Sequence, residues 1–572
     1  MPANNTEAEL AQNAFAKIRN FVTVEPVLLA LAIPFYLQTI SGQNLALEKS
    51  CRVNLQFSTT VCDNMIDKAL NGIHCGNVDV TVEQLNRTVE ESEKNAESTA
   101  YDVKNGTDYS LIQQEACRAE IESQKLISTI SGYMAPLESV IGIVVILIGG
   151  YWSDVTGRRK PLILFPAIGA FLALVVFLIS ATFMTSLPVE FTAVLVSLIE
   201  AISGGTNLLW MGIFCYVTDI TQEKDRVFRF GLLYQLYPLV AICTLPFSGI
   251  LYKKLGYIKL VLVSLSIQIF GIVYLILFLK EPRKEIDANQ QIAEKASADR
   301  IHFDSEIKEP TVTAGRSGEN KFESRQIDLF QRKFLEAANN FSVVLTRRRD
   351  GMKRTIIWLL LFSNFLFVGC EYEYVNEYFF VRTKLNWEAL EESPFAAYSS
   401  TTAFLGNILM TTIFSKYFHF ADVVIGLISS LFSSVAKLIY ITVSTTVMLY
   451  VGRSFDSFLA SSNVANRCIL STVVDQHEIG RIFSLTALLD NLSKFSFVTI
   501  YTNVYKHTVD TFPNAYFIVS FGAITTMAAI FGFLCFHMKD MSTSVTDAVV
   551  ATTDSVDITM EESATSSAEE HQ

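Results

Sequence analysis

Six ionisable residues stand inside long apolar runs of this chain: Glu138, Glu200, Lys437, Arg467, Asp490 and Lys494. A charge at the middle of a bilayer costs at least about 2.5 kcal/mol unless it is paired or wetted. Each of the six is therefore a candidate for holding a charged solute or for taking up and releasing a proton. Asp490 and Lys494 lie one helical turn apart, a spacing that also suits a self-neutralising structural pair. Glu138 reads equally as a hydrogen-bonded packing carboxyl. Glu371, Glu373 and Glu377 close a further apolar run. Glu373 and Glu377 share a helix face while Glu371 points elsewhere, so the group is either a solvated rim or a proton-accepting patch, because burial raises a carboxyl's pKa.

A second kind of chemistry sits between two apolar runs, where Gly150, Asp154, Gly157, Arg158 and Arg159 form the pattern G-x-x-x-D-x-x-G-R-R. Gly150 allows close helix approach and Gly157 a sharp reversal. Asp154 suits a helix N-terminus or an arginine, and Arg158 an acidic helix end. Such pairs form in one conformation and break in the other, which is a latch on alternating access.

These residues need membrane helices to position them. Half of the residues are hydrophobic and 18% are charged, against about 25% charged in a soluble domain. Apolar runs of bilayer length fall near 21–43, 128–151, 161–184, 189–216, 230–252 and 257–280, then near 355–381, 394–416, 421–443, 446–470, 482–504 and 513–536. The expected fold is an all-α membrane protein with twelve transmembrane helices in two six-helix pseudo-repeats. Residues 1–20 form an N-terminal segment, 21–280 the first bundle with an outer loop at 44–127, 281–354 a connection, 355–536 the second bundle, and 537–572 a disordered tail. The first run contains Glu25 and lacks a cleavage site, so it reads as a retained helix. Arg158, Arg159 and Lys160, with Arg347, Arg348, Arg349, Lys353 and Arg354, mark one side as cytoplasmic, together with both termini. Loop 44–127 is then outside, in keeping with glycosylation sequons at Asn86 and Asn105 and with Cys51, Cys62, Cys75 and Cys117, which allow three pairings. Arg226 and Phe228 recur as Arg481 and Phe483 at the mouths of the fifth and eleventh spans, an echo expected of two parallel repeats.

The latch loop resembles the signature of the major facilitator superfamily. Val24 to Val27, Tyr216 to Ile220, Val227 to Arg229, and Arg467 followed by Glu478, Gly480, Arg481 and Phe483 are similar to the proton-coupled folate transporter family, solute carrier family 46. The resemblance covers roughly residues 20 to 536. It implies import of an organic, often anionic solute coupled to protons, with Asp154 and Arg158 as the latch pair. It also implies gating by Asp219 near Arg226 and Arg229, and substrate or proton handling by Arg467. Where folate-carrying members have a glutamate after two leucines, this chain has Tyr234 after Leu232 and Leu233. Where a cysteine joining the halves is expected, it has Asn386.

The expected activity is proton-coupled symport of an anionic organic solute, folate-like or peptidoglycan-fragment-like, by alternating access. An uncoupled uniporter or channel, and a membrane sensor using the outer loop, are the alternatives. No metal-ligand spacing, nucleophile elbow or G-x-x-x-x-G-K-[ST] loop occurs, so neither an enzyme nor an ATP-driven pump is expected, and no cofactor, metal or nucleic acid. The expected partners are the solute, protons and lipid. The expected location is the plasma membrane, with the lysosomal membrane second. The formal net charge of -12 resides outside the spans: 44–127 holds 14 acidic and 8 basic residues, and 537–572 holds 8 and 1, which leaves the remainder near neutral.

Overall fold

The computed structural model describes residues 23–68, 73, 75, 102–221, 223–281, 352–418, 420–474 and 479–537. Asn86, Glu478, almost all of the connection and nearly the whole tail lie outside these residues, as do the side chains of Asn105, Asp154, Arg226, Tyr234 and Arg481. The described residues contain helices and no strand. In chain order these are α1 (Glu25–Lys49), α2 (Thr59–Ile66), α3 (Asp102–Thr156), α4 (Lys160–Thr182), α5 (Val189–Ser203), α6 (Gly205–Ile220) and α7 (Glu223–Leu277). The second half supplies α8 (Lys353–Glu371), α9 (Tyr374–Leu385), α10 (Ala389–Ile408), α11 (Asp422–Thr442), α12 (Thr446–Asp456), α13 (Leu459–Val473), α14 (Ile479–Thr508) and α15 (Pro513–His537). Among the described residues, seven helices are long and apolar enough to cross a bilayer. One of them, Gln235–Leu277, bends back at Gly256, where φ is 69°. That left-handed backbone favours glycine, and it separates the expected fifth and sixth spans. Helices also occupy the positions of the first, eighth, tenth and eleventh expected spans, with more polar residues in them.

Several expected spans are interrupted rather than continuous. Gly204 and Gly205, both at positive φ, split the fourth into α5 and α6. A break at Tyr372 and Glu373 separates α8 from α9, and Ser457 and Phe458 separate α12 from α13. Irregular backbone at membrane depth is tolerated where protein or a cavity surrounds it, and these breaks adjoin the ionisable residues described below.

The two halves meet along α3 with α14 and along α7 with α10. Gly249 of α7 lies so close to the Ala389 carbonyl that any side chain there would overlap it, and its N–H donates to Ser393 Oγ at 2.8 Å. Helix α3 is longer than the expected span. Its 55 residues reach about 80 Å, well beyond the hydrocarbon. The projecting end packs with α2 into a cap held by disulfides Cys51–Cys62 and Cys75–Cys117, one of the three pairings that the sequence allows. The cap side is called the outer side below.

The cap does not stand apart from the helical body. One apolar core joins Cys51, Val61, Met65 and Ala116 of the first half to Phe367, Phe379, Tyr501 and Tyr516 of the second. Inside it, Lys68 Nζ donates to Glu120 Oε2 at 2.7 Å and to the Arg382 carbonyl at 3.1 Å. Arg382 Nε donates to Glu120 Oε1 at 2.7 Å, and its Nη2 to the Met65 carbonyl at 2.7 Å. Lys68, Glu120 and Arg382 are fully buried, and burial pulls the Lys68 ammonium below the ordinary lysine value against the attraction of Glu120. Asn386, at the position where the resemblance implies a cysteine, instead donates from Nδ2 to the Ile73 carbonyl of the cap at 2.9 Å. Lys253 and Glu388 add an ion pair between the halves at 2.7 Å. The outer ends of the halves are thereby closed against each other.

Glu120 is the carboxylate that ion-pairs with both buried cations among the described residues. Glu120→Ala should lower the stability of the closed form by about 3–5 kcal/mol, read as a fall in the thermal midpoint of the purified full-length protein. A variant that melts with the wild type would show that the triad does not hold the outer face.

Candidate functional site

Below that closure, a cavity of about 290 Å³ opens between the halves at mid-span. Three of the ionisable residues singled out from sequence line it: Glu138, Glu200 and Lys494. Glu138 lies on α3 and Lys494 on α14, and the lysine donates to Glu138 Oε2 at 2.6 Å across the interface of the halves. Asn207 of α6 donates to Asn491 Oδ1 of α14 at 3.0 Å, a second bridge on the same wall. Glu200 sits just before the break at Gly204, and its carboxylate accepts no hydrogen bond among the described residues. Two carboxylates thus share one lysine in the cavity.

The rest of the lining is apolar and aromatic, including Phe35, Tyr237, Tyr372 and Tyr374. Behind Tyr237, the rings of Tyr36 and Trp210 stand 6.1 and 5.6 Å from its own, making a broad aromatic wall in the first half. Helix α6 starts at the cavity, with Gly205, Thr206 and Asn207 on its surface. The first turn of a helix carries N–H groups with no intrahelical acceptor and the positive end of the dipole, which favours an anion nearby.

Asp490 and Lys494 do not pair with each other. Lys494 is taken by Glu138, while Asp490 accepts from Asn364 Nδ2 at 2.7 Å and lies 3.9 Å from Arg467 Nη2. Arg467 is not among the cavity-lining residues. The cation that faces the cavity is Lys494.

Lys437 belongs to a separate cluster within the second half. Its ammonium donates to Glu373 Oε1 at 3.0 Å and to Asp456 Oδ2 at 2.9 Å. Arg453 donates to Glu377 Oε1 at 2.6 Å and lies 3.6 Å from Asp456. Glu373 and Glu377 therefore form neither a free solvated rim nor a bare carboxylate patch, since each has a basic partner. Glu371 is set within the field of Asp456, Lys437 and Arg453.

At the opposite end from the cap, Gly157 adopts φ 68° and turns the chain into α4. Arg159, rather than its neighbour Arg158, is buried there, donating to Asp219 Oδ2 at 3.0 Å and to Ser153 Oγ at 2.8 Å. Arg158 is exposed and offers its carbonyl to Ser153. The close helix approach expected at Gly150 is not seen, since a Cβ there would meet Met211 at an ordinary 3.7 Å. Arg229 is buried, reaching Thr23 Oγ1 at 2.7 Å, Thr221 Oγ1 at 3.1 Å and Glu25 at 3.9 Å, and so ties the starts of α1 and α7 together.

Lys68, Glu120, Arg382, Arg453 and Asp456 are the charged residues that sequence reasoning passed over as site members. Glu120 and Lys68 lie in what reads as a polar outer loop, and Arg382 at the polar end of a span. Only the run of acidic residues between 371 and 392, and Arg453 with Asp456 inside an apolar run, hinted at a partner network.

A family model described as Major Facilitator Superfamily matches residues 121–498. The mouse lysosomal proton-coupled steroid conjugate and bile acid symporter SLC46A3 is 23% identical over 331 residues, covering 58% of this chain and 64% of that protein, just under two thirds of its length. Its human counterpart is 24% identical over 420 residues, covering 72% and 79%. Dog solute carrier family 46 member 2 is 23% identical over 332 residues, covering 56% of this chain and 63% of that protein. The crystal structure of the human organic anion transporter MFSD10 (TETRAN) superposes with a TM-score of 0.50 at 15% identity, covering 90% of this chain and 99% of that one. That likeness supports the fold, and the relatives place the resemblance to solute carrier family 46 on matched sequence.

The bridge between Glu138 and Lys494 can be measured directly. A double-mutant cycle of Glu138→Gln and Lys494→Met, read in thermal stability, should give a coupling of about 0.5–3 kcal/mol. Additive effects would mean that the two side chains do not interact in the folded protein.

Proposed function

The chain belongs to the Major Facilitator Superfamily and is a multi-pass membrane transporter, and we propose that it is a proton-coupled symporter of an amphipathic organic anion. The observation that carries this reading is the cavity between the halves, where Glu138 and Glu200 share the single ammonium of Lys494. With both carboxylates ionised, the cavity is anionic and Lys494 is occupied, so an anionic solute is repelled. Protonating Glu138 frees the lysine, and protonating Glu200 removes the remaining negative charge. An anionic head group can then take the place of Glu138 on Lys494, beside the first turn of α6. The aromatic wall suits an apolar body, the chemistry that the relatives' printed cargo, steroid conjugates and bile acids, has in common. Folate has less support, because Tyr234 stands where folate-carrying members have a glutamate.

Release follows from the same exchange in reverse. When the cavity opens to the less acidic side, loss of the protons returns Glu138 to Lys494 and displaces the anion. One unit of pH gradient supplies about 1.4 kcal/mol per proton. On this reading the cap faces the extracellular space or the lysosomal lumen, where disulfides persist, and both termini are cytoplasmic. Arg159 with Asp219, and Arg229 with Thr221, hold the N-terminal bundle together at the inner end. The latch role assigned to the loop from Gly150 to Arg159 remains part of the proposal.

In proteoliposomes, a radiolabelled bile acid should accumulate under an inward acid gradient, and a protonophore should abolish the accumulation. Lys494→Ala should raise the half-saturating concentration roughly ten- to hundredfold, as expected for the loss of a charge-assisted hydrogen bond of about 1.5–3 kcal/mol. Uptake that only equilibrates, with or without a gradient, would favour a uniporter. A Lys494→Ala protein that transports as the wild type does would remove the lysine from the cargo site.

A further inference from the structure

The cluster around Lys437 and Arg453 contains more acid than the proposed transport cycle uses. Glu371, Glu373, Glu377 and Asp456 all act on these two cations, from α8, the break that follows it, α9 and α12. Glu392, on α10, is a fifth carboxyl. It is 7% exposed, its Oε2 accepts no hydrogen bond, and the charges that act on it are those of Glu377 and Arg453. The phenols of Tyr378 and Tyr450 lie within its field from α9 and α12. Glu373 Oε2 and Asp456 Oδ1 are also buried without a partner. Five carboxylates against two cations is a surplus that no described side chain neutralises.

A buried carboxylate with no donor costs several kcal/mol, whereas a neutral carboxylic acid needs only ordinary hydrogen bonding. The lowest-cost remedy in such a setting is a proton. Arg453 already serves Glu377 and Asp456, and Lys437 serves Glu373 and Asp456. Glu371 and Glu392 have no cation in hydrogen-bond contact among the described residues, and of these two only Glu392 is buried, Glu371 being exposed. The Arg453–Glu377 end is about one-fifth exposed, which gives a proton a route inward. Glu392 and Glu377 do not line the cargo cavity.

We propose that Glu392, buried on α10 with Oε2 unpartnered, is a second exchangeable-proton site, built into the C-terminal half apart from the cargo cavity. Protonated, Glu392 leaves Arg453 to Glu377. When Glu392 loses its proton, the two carboxylates compete for one guanidinium, and the packing of α10 against α9 and α12 changes. The use of this site in transport rests on the proton-coupled reading, but the existence of the site does not.

Infrared titration of the full-length protein in lipid nanodiscs tests the site without any cargo. At neutral pH the wild type should show a protonated-carboxyl stretch that disappears as pH rises, and Glu392→Gln should lose that band while Glu200→Gln keeps it. An unchanged band in folded Glu392→Gln would overturn the proposal. If that variant does not fold, Glu392→Asp decides: the band shifts in frequency and in midpoint pH if residue 392 carries the proton, and stays in place if it does not. A wild type that transports without proton coupling would refute the symport reading, and the band would still judge the site.

Discussion

The structure depends on the cost of placing charge in a medium that cannot solvate it. Each charged group drawn into the body of this protein must find a counter-charge, a dipole, water or a proton. The chain meets that demand in three different ratios. On the outer side, Lys68 and Arg382 share one carboxylate, Glu120. In the cavity, Glu138 and Glu200 share one lysine. In the second half, five carboxylates surround Lys437 and Arg453. A cation surplus cannot be relieved by adding protons, so the outer triad stays charged under mild acid and behaves as a fixed fastener. A carboxylate surplus can be relieved in that way, which is the ground for proposing that the other two clusters exchange protons.

The position of each cluster then decides what it can control. The triad joins cap residues of the first half to α9 of the second, so opening the outer face must separate Arg382 from the Met65 carbonyl and from Glu120. The disulfides tie α2 to the end of α1, and Cys75 to α3, within the first half. The close approach of Gly249 to Ala389 belongs to the same closed face. The Glu138–Lys494 bridge lies deeper and also spans the halves. On the proposed cycle, a solute that replaces one partner of this bridge would alter the contact energy between the halves as it binds.

The helices were legible because apolar length and basic loops report directly on the bilayer. The reversal at Gly256, the break at Gly204 and Gly205, and the turn at Gly157 all follow glycines visible in the sequence. Glu138, Glu200, Lys437 and Lys494 stood out because they interrupt apolar runs. Partner choice was not legible. Asp490 and Lys494 share a helix face, yet each finds a better partner on another helix, and the partner of Lys494 is 356 residues away in sequence. Arg158 and Arg159 are adjacent, and only the geometry of the turn decides that Arg159 goes inward. Lys68 and Glu120 belong to a stretch whose composition matches a solvated loop, so nothing local marks them as buried.

The cap explains why that last omission matters. The superfamily match begins at residue 121, one position after Glu120. The match takes in most of both bundles but neither α1 nor α15, and two members of the outer triad, Lys68 and Glu120, also come from sequence that it does not include. Arg382 lies within the match. Its buried guanidinium requires the carboxylate that the cap supplies, and the Lys68 ammonium requires the same one. A bundle with Arg382 and a cap with Glu120 are therefore mutually dependent: each charge is tolerable in the closed state because the other is there. The closed outer face of this structure rests on the two together.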